Sequence, residues 1–439
     1  AAAAVVTLAV ALSIYMSNYI SSEKEGKTLI QPGTQQAQLT LSDGSVIDVH
    51  RKEVSVVVDG VQVKYKKGVL SYQPTVTTQH EEKNIEEQSG KSNELVIPRG
   101  GENTVILADG TTVHLNAGSK LTYPVRFAGK RRIVRLEGEA YFDVAGDENH
   151  PFVVQTHLGE ITVLGTEFNV NAYADTPVCY TTLVHGKVKF STLNAETVTL
   201  SPGEQAVVFA NSSTKRKVDL EEYVGWVDGM YIFNDRPLGD IMKTFERWYD
   251  IQVYYETPNL RDITYSGNLK RYGTINSFLD ALELTGDLTY KISGRNISVS
   301  YTHLTLPCFL VAMCCTFSAW ALPSQDKTVT LKLHNVSIET VLDAVKKQTG
   351  VNMLYNSQMF KGVPSVSLDV KNERWDTTLK LVLNPQGFDY VMKDGIVVIR
   401  KQKRENRVRG MVTDSHGEPI PGASIIVKGT RTGTSTNIE

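Results

Sequence analysis

A charge-free run from Leu304 to Ala321 divides this chain of 439 residues, and it limits what the rest can fold into. Leu306, Phe309, Leu310, Val311, Met313 and Phe317 lead there to Ala319-Trp320-Ala321. An apolar helix of about 20 residues crosses a bilayer. The small-x-small ending, followed by Leu322-Pro323-Ser324, fits the cleavage site of a secretory signal peptide better. Neither an initiator Met nor a basic run precedes it. A signal peptide in mid-chain implies that residues 301–321 join two proteins, by engineering, gene fusion or sequence assembly, and that a cut after Ala321 would separate them.

Residues 1–20 form a second uncharged segment, with Val5, Leu8, Val10, Leu12, Ile14 and Ile20. With no Ala-x-Ala site after it, it reads as a transmembrane anchor in the inner membrane. The missing Met at residue 1 leads to the expectation that a true N-terminus, and with it a cytoplasmic domain, lies upstream. If both apolar segments crossed one bilayer, residues 21–300 and 322–439 would face opposite sides, although both have a secreted character.

The formal net charge of -2 offers no broad electrostatic reason to bind nucleic acid. The clusters Lys130-Arg131-Arg132 and Arg400 to Arg409 read as solvated edges and linkers. Three of the four Cys lie in the apolar run (Cys308, Cys314, Cys315). Cys179 alone remains for the folded parts, which excludes an intrachain disulfide framework or a thiolate metal cluster there.

From Gln36 to Gln73 short apolar runs are joined by tight turns. Asp43-Gly44 and Asp59-Gly60 between such runs are hairpin signals, because Gly accepts positive φ without a Cβ clash. Residues 75–93 lose periodicity and read as a loop or linker. The design then restarts: Thr104 to Leu115, with Asp109-Gly110, echoes Gln38 to Ile47. Further strands at eight- to twelve-residue spacing predict an all-β sandwich, barrel or short solenoid over 94–219, after an N-terminal β region at 21–93.

The period changes near Leu220. Leu238, Ile241, Met242, Phe245 and Trp248 make one helix face, and Ile275, Phe278, Leu279 and Leu282 another. Between and around them strands give the order β-α-β-β-α-β-β over 220–300. The same order returns over 322–400. Phe233 to Leu238 aligns with Leu333 to Ile338, and Tyr249 to Val253 with Thr349 to Met353, so one small module occurs twice. Residues 401–407 form a charged linker. Val408 to Val427 then begin another β unit that breaks off at Glu439, as a truncated domain would.

No catalytic constellation is expected. Asp143, His150 and His157 sit in strand and turn contexts without an activated nucleophile. His114, His185 and His334 lack partners at ligand spacing, so neither a metal nor a cofactor is implied. An envelope glycan-binding or adhesive β-protein is the alternative class that the β-rich region permits.

The blocks Leu107 to Thr111, Leu115 to Ser119, Leu136 to Val144, His150 to Phe152 and Leu164 to Val170, with Trp226 and Gly229, resemble the periplasmic region of FecR-type anti-sigma factors over residues 21–300. Residues 322–439 resemble the mature N-terminus of a SusC/RagA-type TonB-dependent transporter of the Bacteroidetes. There, 328–399 is similar to a secretin and TonB short N-terminal (STN) signalling domain. Arg409 to Asp414, Gly417 to Ala423 and Val427 to Thr430 match a carboxypeptidase-regulatory-like domain, placing 401–439 at the periplasmic end of an outer-membrane protein.

The resemblance implies cell-surface signalling. A periplasmic sensor binds the transporter's signalling domain and relays substrate status to an extracytoplasmic-function sigma factor, held through the cytoplasmic domain missing here. A β-addition contact between the like modules is expected. Tyr231, Phe233, Tyr254 and Tyr255 are its candidates on one module, with Leu331, Leu333 and Tyr355 on the other. Some FecR-like proteins cut themselves at a Gly-Thr bond, which makes Gly165-Thr166 the one candidate for chemistry, through attack of the Thr hydroxyl on the preceding carbonyl.

Overall fold

The computed structural model describes residues 28–50, 53–58, 61–66, 68–74, 92–194, 196–302, 327–402, 411–414, 416, 418–420, 422–426 and 433–435. The expected membrane segment at 1–20, nearly all of the 75–93 linker and of the 301–321 junction, and most of the 401–407 linker lie outside them. Among the described residues no helix is long and apolar enough to cross a membrane. The chain is multidomain and mixed α/β, with two compact units, Ala1–Lys401 and Gln402–Glu439.

The echoed Asp-Gly turns have one geometry. Gly44 and Gly110 take φ of +84° and +87°, the Leu41 and Leu107 amides bond the Ser45 and Thr111 carbonyls, and Asp43 and Asp109 Oδ1 accept the Ser45 and Thr111 amides. All but Val46–His50 of the strands they join enter one closed barrel of six. In ring order these are Thr34–Thr40, Ser92–Val96, Lys120–Pro124, Arg132–Asp143, Thr112–Leu115 and Gly101–Ile106, which returns to the first.

Closure depends on the twelve-residue strand Arg132–Asp143, whose inward residues alternate with outward ones. It changes partner from Lys120–Pro124 to Thr112–Leu115 around Gly138. That residue has φ +106°, and a Cβ would stand 2.6 Å from Ser119 Cα, so only glycine turns this corner. Leu39, Leu95, Val105, Val113, Leu121 and Phe142 fill the interior, with Phe142 stacked at 5.1 Å on Phe168 of the adjoining strands. Those strands continue the sheets as far as Ser212–Lys217.

The two echoed aspartates are energetically unequal. Asp109 Oδ2 also receives the buried Arg132 guanidinium at 2.7 Å, whereas Asp43 caps an exposed turn. Breaking a buried pair strands its partner, so Asp109→Ala should cost about 3 kcal/mol. Asp43→Ala should cost under ~1 kcal/mol. Urea midpoints of the two variants check the contrast.

Each small module has the expected element order. In the first, β1 (Met230–Pro237), α1 (Leu238–Tyr249), β2 (Gln252–Tyr255), β3 (Thr264–Lys270), α2 (Ile275–Thr285), β4 (Leu288–Ser293) and β5 (Asn296–Tyr301) follow in turn. The second has β6 (Thr328–Val336), α3 (Ile338–Thr349), β7 (Asn352–Asn356), β8 (Val366–Arg374), α4 (Trp375–Leu383), β9 (Phe388–Lys393) and β10 (Ile396–Lys401). β1 pairs antiparallel with β3, and β5 lies between a parallel β2 and an antiparallel β4; β6 and β8, and β7, β10 and β9, repeat this.

The sister relation extends to irregularities. Both first strands break register at the same place, where Asp235 and Asn335 take φ of 48° and 52° and donate their amides to Ser266 Oγ and Ser367 Oγ. Asx residues tolerate the left-handed region because their short polar side chains bond locally. α1 and α3 each end on a left-handed residue, Asp250 or Gly350, whose amide closes the last turn. Leu238, Ile241, Phe245 and Trp248 of α1, and Ile338, Val341, Leu342 and Val345 of α3, are buried.

The second unit is small. Ser424–Ile426 pairs with Gly433–Ser435, Thr413 bridges Pro419, and Asp414 Oδ1 accepts the His416 and Glu418 amides.

Candidate interaction site

The two modules share a sheet. β3 of the first pairs antiparallel with β7 of the second, through Tyr265↔Asn356, Ser266↔Tyr355 and Gly267↔Leu354. One five-stranded sheet results, in the order β1-β3-β7-β10-β9. An unpaired strand edge offers a row of backbone donors and acceptors, and strand addition satisfies them. At Gly267 the backbones come so close that a Cβ would lie 2.1 Å from the Met353 carbonyl oxygen.

Side chains reinforce the crossing. Asn268 uses both ends of its amide: Oδ1 accepts the Met353 N–H at 2.9 Å and Nδ2 donates to Asn352 Oδ1 at 3.2 Å. The Ser266 and Ser357 hydroxyls lie 2.8 Å apart, and Asn356 Nδ2 donates to Asp287 Oδ2 at 2.7 Å. Apolar packing comes from α2, which lies across β7, β9 and β10. Leu354, Ile396 and Val398 join the first module's core, while Met353, Tyr355, Val397 and Ile399 on the opposite face of the same strands fill the second's. Both faces of β7 and β10 are therefore covered, and the middle of each strand is apolar on both.

The first module is also fastened to the barrel, by Arg271. This residue is fully buried, and its guanidinium lies 3.7 Å from the Trp248 ring centroid, with Trp226 and Tyr231 at 5.3 Å. Nη1 donates to Tyr231 Oη and Nη2 to Asn116 Oδ1, each at 2.7 Å; Glu102 Oε2 stands 3.1 Å from Nη2. Asn116 in turn donates to Glu139, which also accepts from Asn169. Arg247 makes a second tie, 3.7 Å over the Tyr173 ring and forked onto Asp175 at 2.7 and 2.9 Å. The segment entering the barrel is tied to α2 as well: Asn276 Oδ1 accepts the Ile30 amide and its Nδ2 donates to the Thr28 carbonyl, both at 3.0 Å.

Of the sequence candidates, Tyr355 lies on the crossing strand, with its side chain in the second module's own core against Phe360. Tyr231 and Phe233 are buried in the first module, where Tyr231 serves Arg271. Tyr254 is 53% exposed and donates to Gln252, and Tyr255 packs against the same core beneath Arg261. Leu331 and Leu333 belong to the second module's core. The residues that make the joint, Ser266, Gly267, Asn268, Leu354, Ile396 and Val398, were not singled out. One signal for them is in the sequence: Ile396-Val397-Val398-Ile399 is apolar throughout, whereas its sister Asn296-Ile297-Ser298-Val299 alternates.

Thr166 is buried and its hydroxyl donates to the Lys187 carbonyl at 3.2 Å; Gly165 packs so closely that a Cβ would meet Gly146 Cα at 2.8 Å. Among the described residues no group of three or more His, Cys, Asp or Glu could hold a metal.

Comparison with known proteins matches these parts one by one. Residues 93–189 match the FecR protein model, 230–299 the C-terminal FecR model, and 351–402 the secretin and TonB N terminus short domain. Crystal structures at 1.65 and 2.50 Å of a candidate anti-sigma factor from Parabacteroides distasonis ATCC 8503 are 30% identical. The match covers 48% of this chain and 99% of that one, with a TM-score of 0.45. The chain belongs to the FecR family. No curated protein matches it. FecR and STN domains together match a periplasmic-sensor architecture, and that domain composition supports a role in cell-surface signalling.

Proposed function

We propose that residues 28–301 are the periplasmic sensor of an anti-sigma factor and that β3, backed by α2, receives the STN domain of a TonB-dependent outer-membrane transporter. The observation that carries this reading is the β3–β7 pairing between the FecR C-terminal module and the STN module. Strand addition gives backbone affinity, and the apolar face given by Leu354, Ile396 and Val398 adds burial. In this reading residues 1–20 anchor the sensor in the inner membrane, an upstream cytoplasmic domain holds an extracytoplasmic-function sigma factor, and residues 401–439 begin a carboxypeptidase-regulatory-like domain. The all-β part is read as a sandwich over 94–219, and the N-terminal β region at 21–93 contributes Thr34–Thr40 to the six-stranded barrel.

The test uses the whole chain with a protease site placed in residues 303–326. After cleavage the two pieces should co-elute at micromolar concentration; free separation of the pieces overturns the reading. Thr166 is assigned a structural role, its hydroxyl engaged by the Lys187 carbonyl. Intact mass after prolonged incubation should give one species. Fragments parting at Gly165, lost in Thr166→Ala, would establish self-cleavage instead.

A further inference from the structure

We propose that the docking is one-directional: residues at which the sister modules differ make the first only an acceptor of an added strand and the second only a donor. This rests on the docking reading above and specifies its partner. Two devices set the direction, and each appears when the modules are superposed through their shared registers.

The acceptor device is at Gly267. Phe233↔Gly267 in β1–β3 corresponds to Leu333↔Leu368 in β6–β8, with Ser266 and Ser367 at matching bulges. The second module thus carries Leu368 where the first has no side chain. A Cβ at 267 would sit 2.1 Å from the Met353 oxygen and 3.0 Å from Leu354 Cα, both backbone atoms that cannot swing aside. β8 is therefore barred from receiving a strand in this way. The next residue agrees: the bidentate Asn268 has Asp369 as its sister, which cannot donate to an Asn352-like carbonyl.

The donor device is the outer face of the three-stranded sheet. Gln252↔Asn296 and Tyr254↔Ser298 in the first module correspond to Asn352↔Ile396 and Leu354↔Val398 in the second. Asn296 and Ser298 are exposed, whereas Ile396 and Val398 are buried against the first module. A second copy of the first module offers α2 a polar face, which would lose its water for no apolar gain. The fitting partner is a module of the same β-α-β-β-α-β-β plan whose β7 and β10 counterparts are apolar on both faces. Pairing of the first module with its own kind is disfavoured by the same residues.

Hydrogen exchange on the intact chain tests this. In the wild type the β7 amides that face β3, among them the Met353 N–H held by Asn268 Oδ1, should be protected. Gly267→Ala should lower that protection about 100-fold, since three paired residues and the apolar seat are lost together. Leu368→Gly should leave it within about 3-fold. The β1 amides report whether the first module stays folded in Gly267→Ala. If it does not, Val398→Ser, which installs the sister residue without touching β3, must produce the fall. Unprotected β7 amides in the wild type would overturn docking itself. Protected wild-type amides with no loss in Gly267→Ala or Val398→Ser would leave docking intact and overturn its direction.

Discussion

Arg271→Ala should destabilise the sensor by about 3–5 kcal/mol, the range for removing one member of a buried charge pair. The side chain is fully buried, so truncation opens a cavity against Trp248 and Trp226, removes the charge that faces Glu102, and leaves the Glu102 carboxylate with Tyr272 and the Asn116 carbonyl with the Ala117 amide as their remaining donors. Its partners also come from two bodies: Glu102 and Asn116 stand on the barrel, Tyr231 and Trp248 on the FecR C-terminal module. Urea unfolding of residues 28–302 should follow one transition in the wild type and split in Arg271→Ala, with the tryptophan signal and the barrel's β signal parting. Arg271→Met restores volume, not the donor, and should lose less. Adding Glu102→Gln to it removes the stranded charge and should recover part of the deficit. A coincident transition in Arg271→Ala at an unchanged midpoint would refute the hub.

How far the sequence disclosed this arrangement depends on the range of the interactions involved. The Asp-Gly hairpins and the duplicated module are local: Gly44 and Gly110 needed only their own backbone, and the 3.6-residue spacing of Leu238 to Trp248 needed only one helix face. Even the matching irregularities at Asp235 and Asn335 lay within the aligned segments. Arg271 was illegible for the opposite reason. Beside Lys270 it looks like a solvated cation, and its acceptors Glu102 and Asn116 are 169 and 155 residues away. The joint was obscured by a preference for large aromatics. Strand addition is carried by backbone, so the contacting strand holds small residues, Ser266, Gly267 and Asn268, and the aromatics nearby fill cores. A barrel was one of three readings that the strand spacing left open, but the strands that close it were hidden, because Ser92–Val96 adjoins a non-periodic segment and pairs with strands on both sides.

The other large effect is expected at Val398, where an aspartate should abolish docking and spare both modules. Val398 is fully buried, yet it faces the first module; its neighbours Val397 and Ile399 face the second module's own core. Docked, an aspartate there would be an unpaired carboxylate beneath α2, an arrangement that proteins avoid by opening or by protonation. Undocked, the same carboxylate would be in water, on the face that the sister module leaves exposed at Ser298. The charge therefore acts on the difference between docked and free states, by about 3–5 kcal/mol, enough to weaken association some hundredfold or more. After cleavage within 303–326, the Val398→Asp pieces should separate on a column that keeps the wild-type pieces together, and the released STN piece should retain its circular dichroism. Val397→Asp is the control: one residue along, it enters the second module's core and should unfold that piece. Co-elution of the Val398→Asp pieces would mean that the shared sheet is not what joins them.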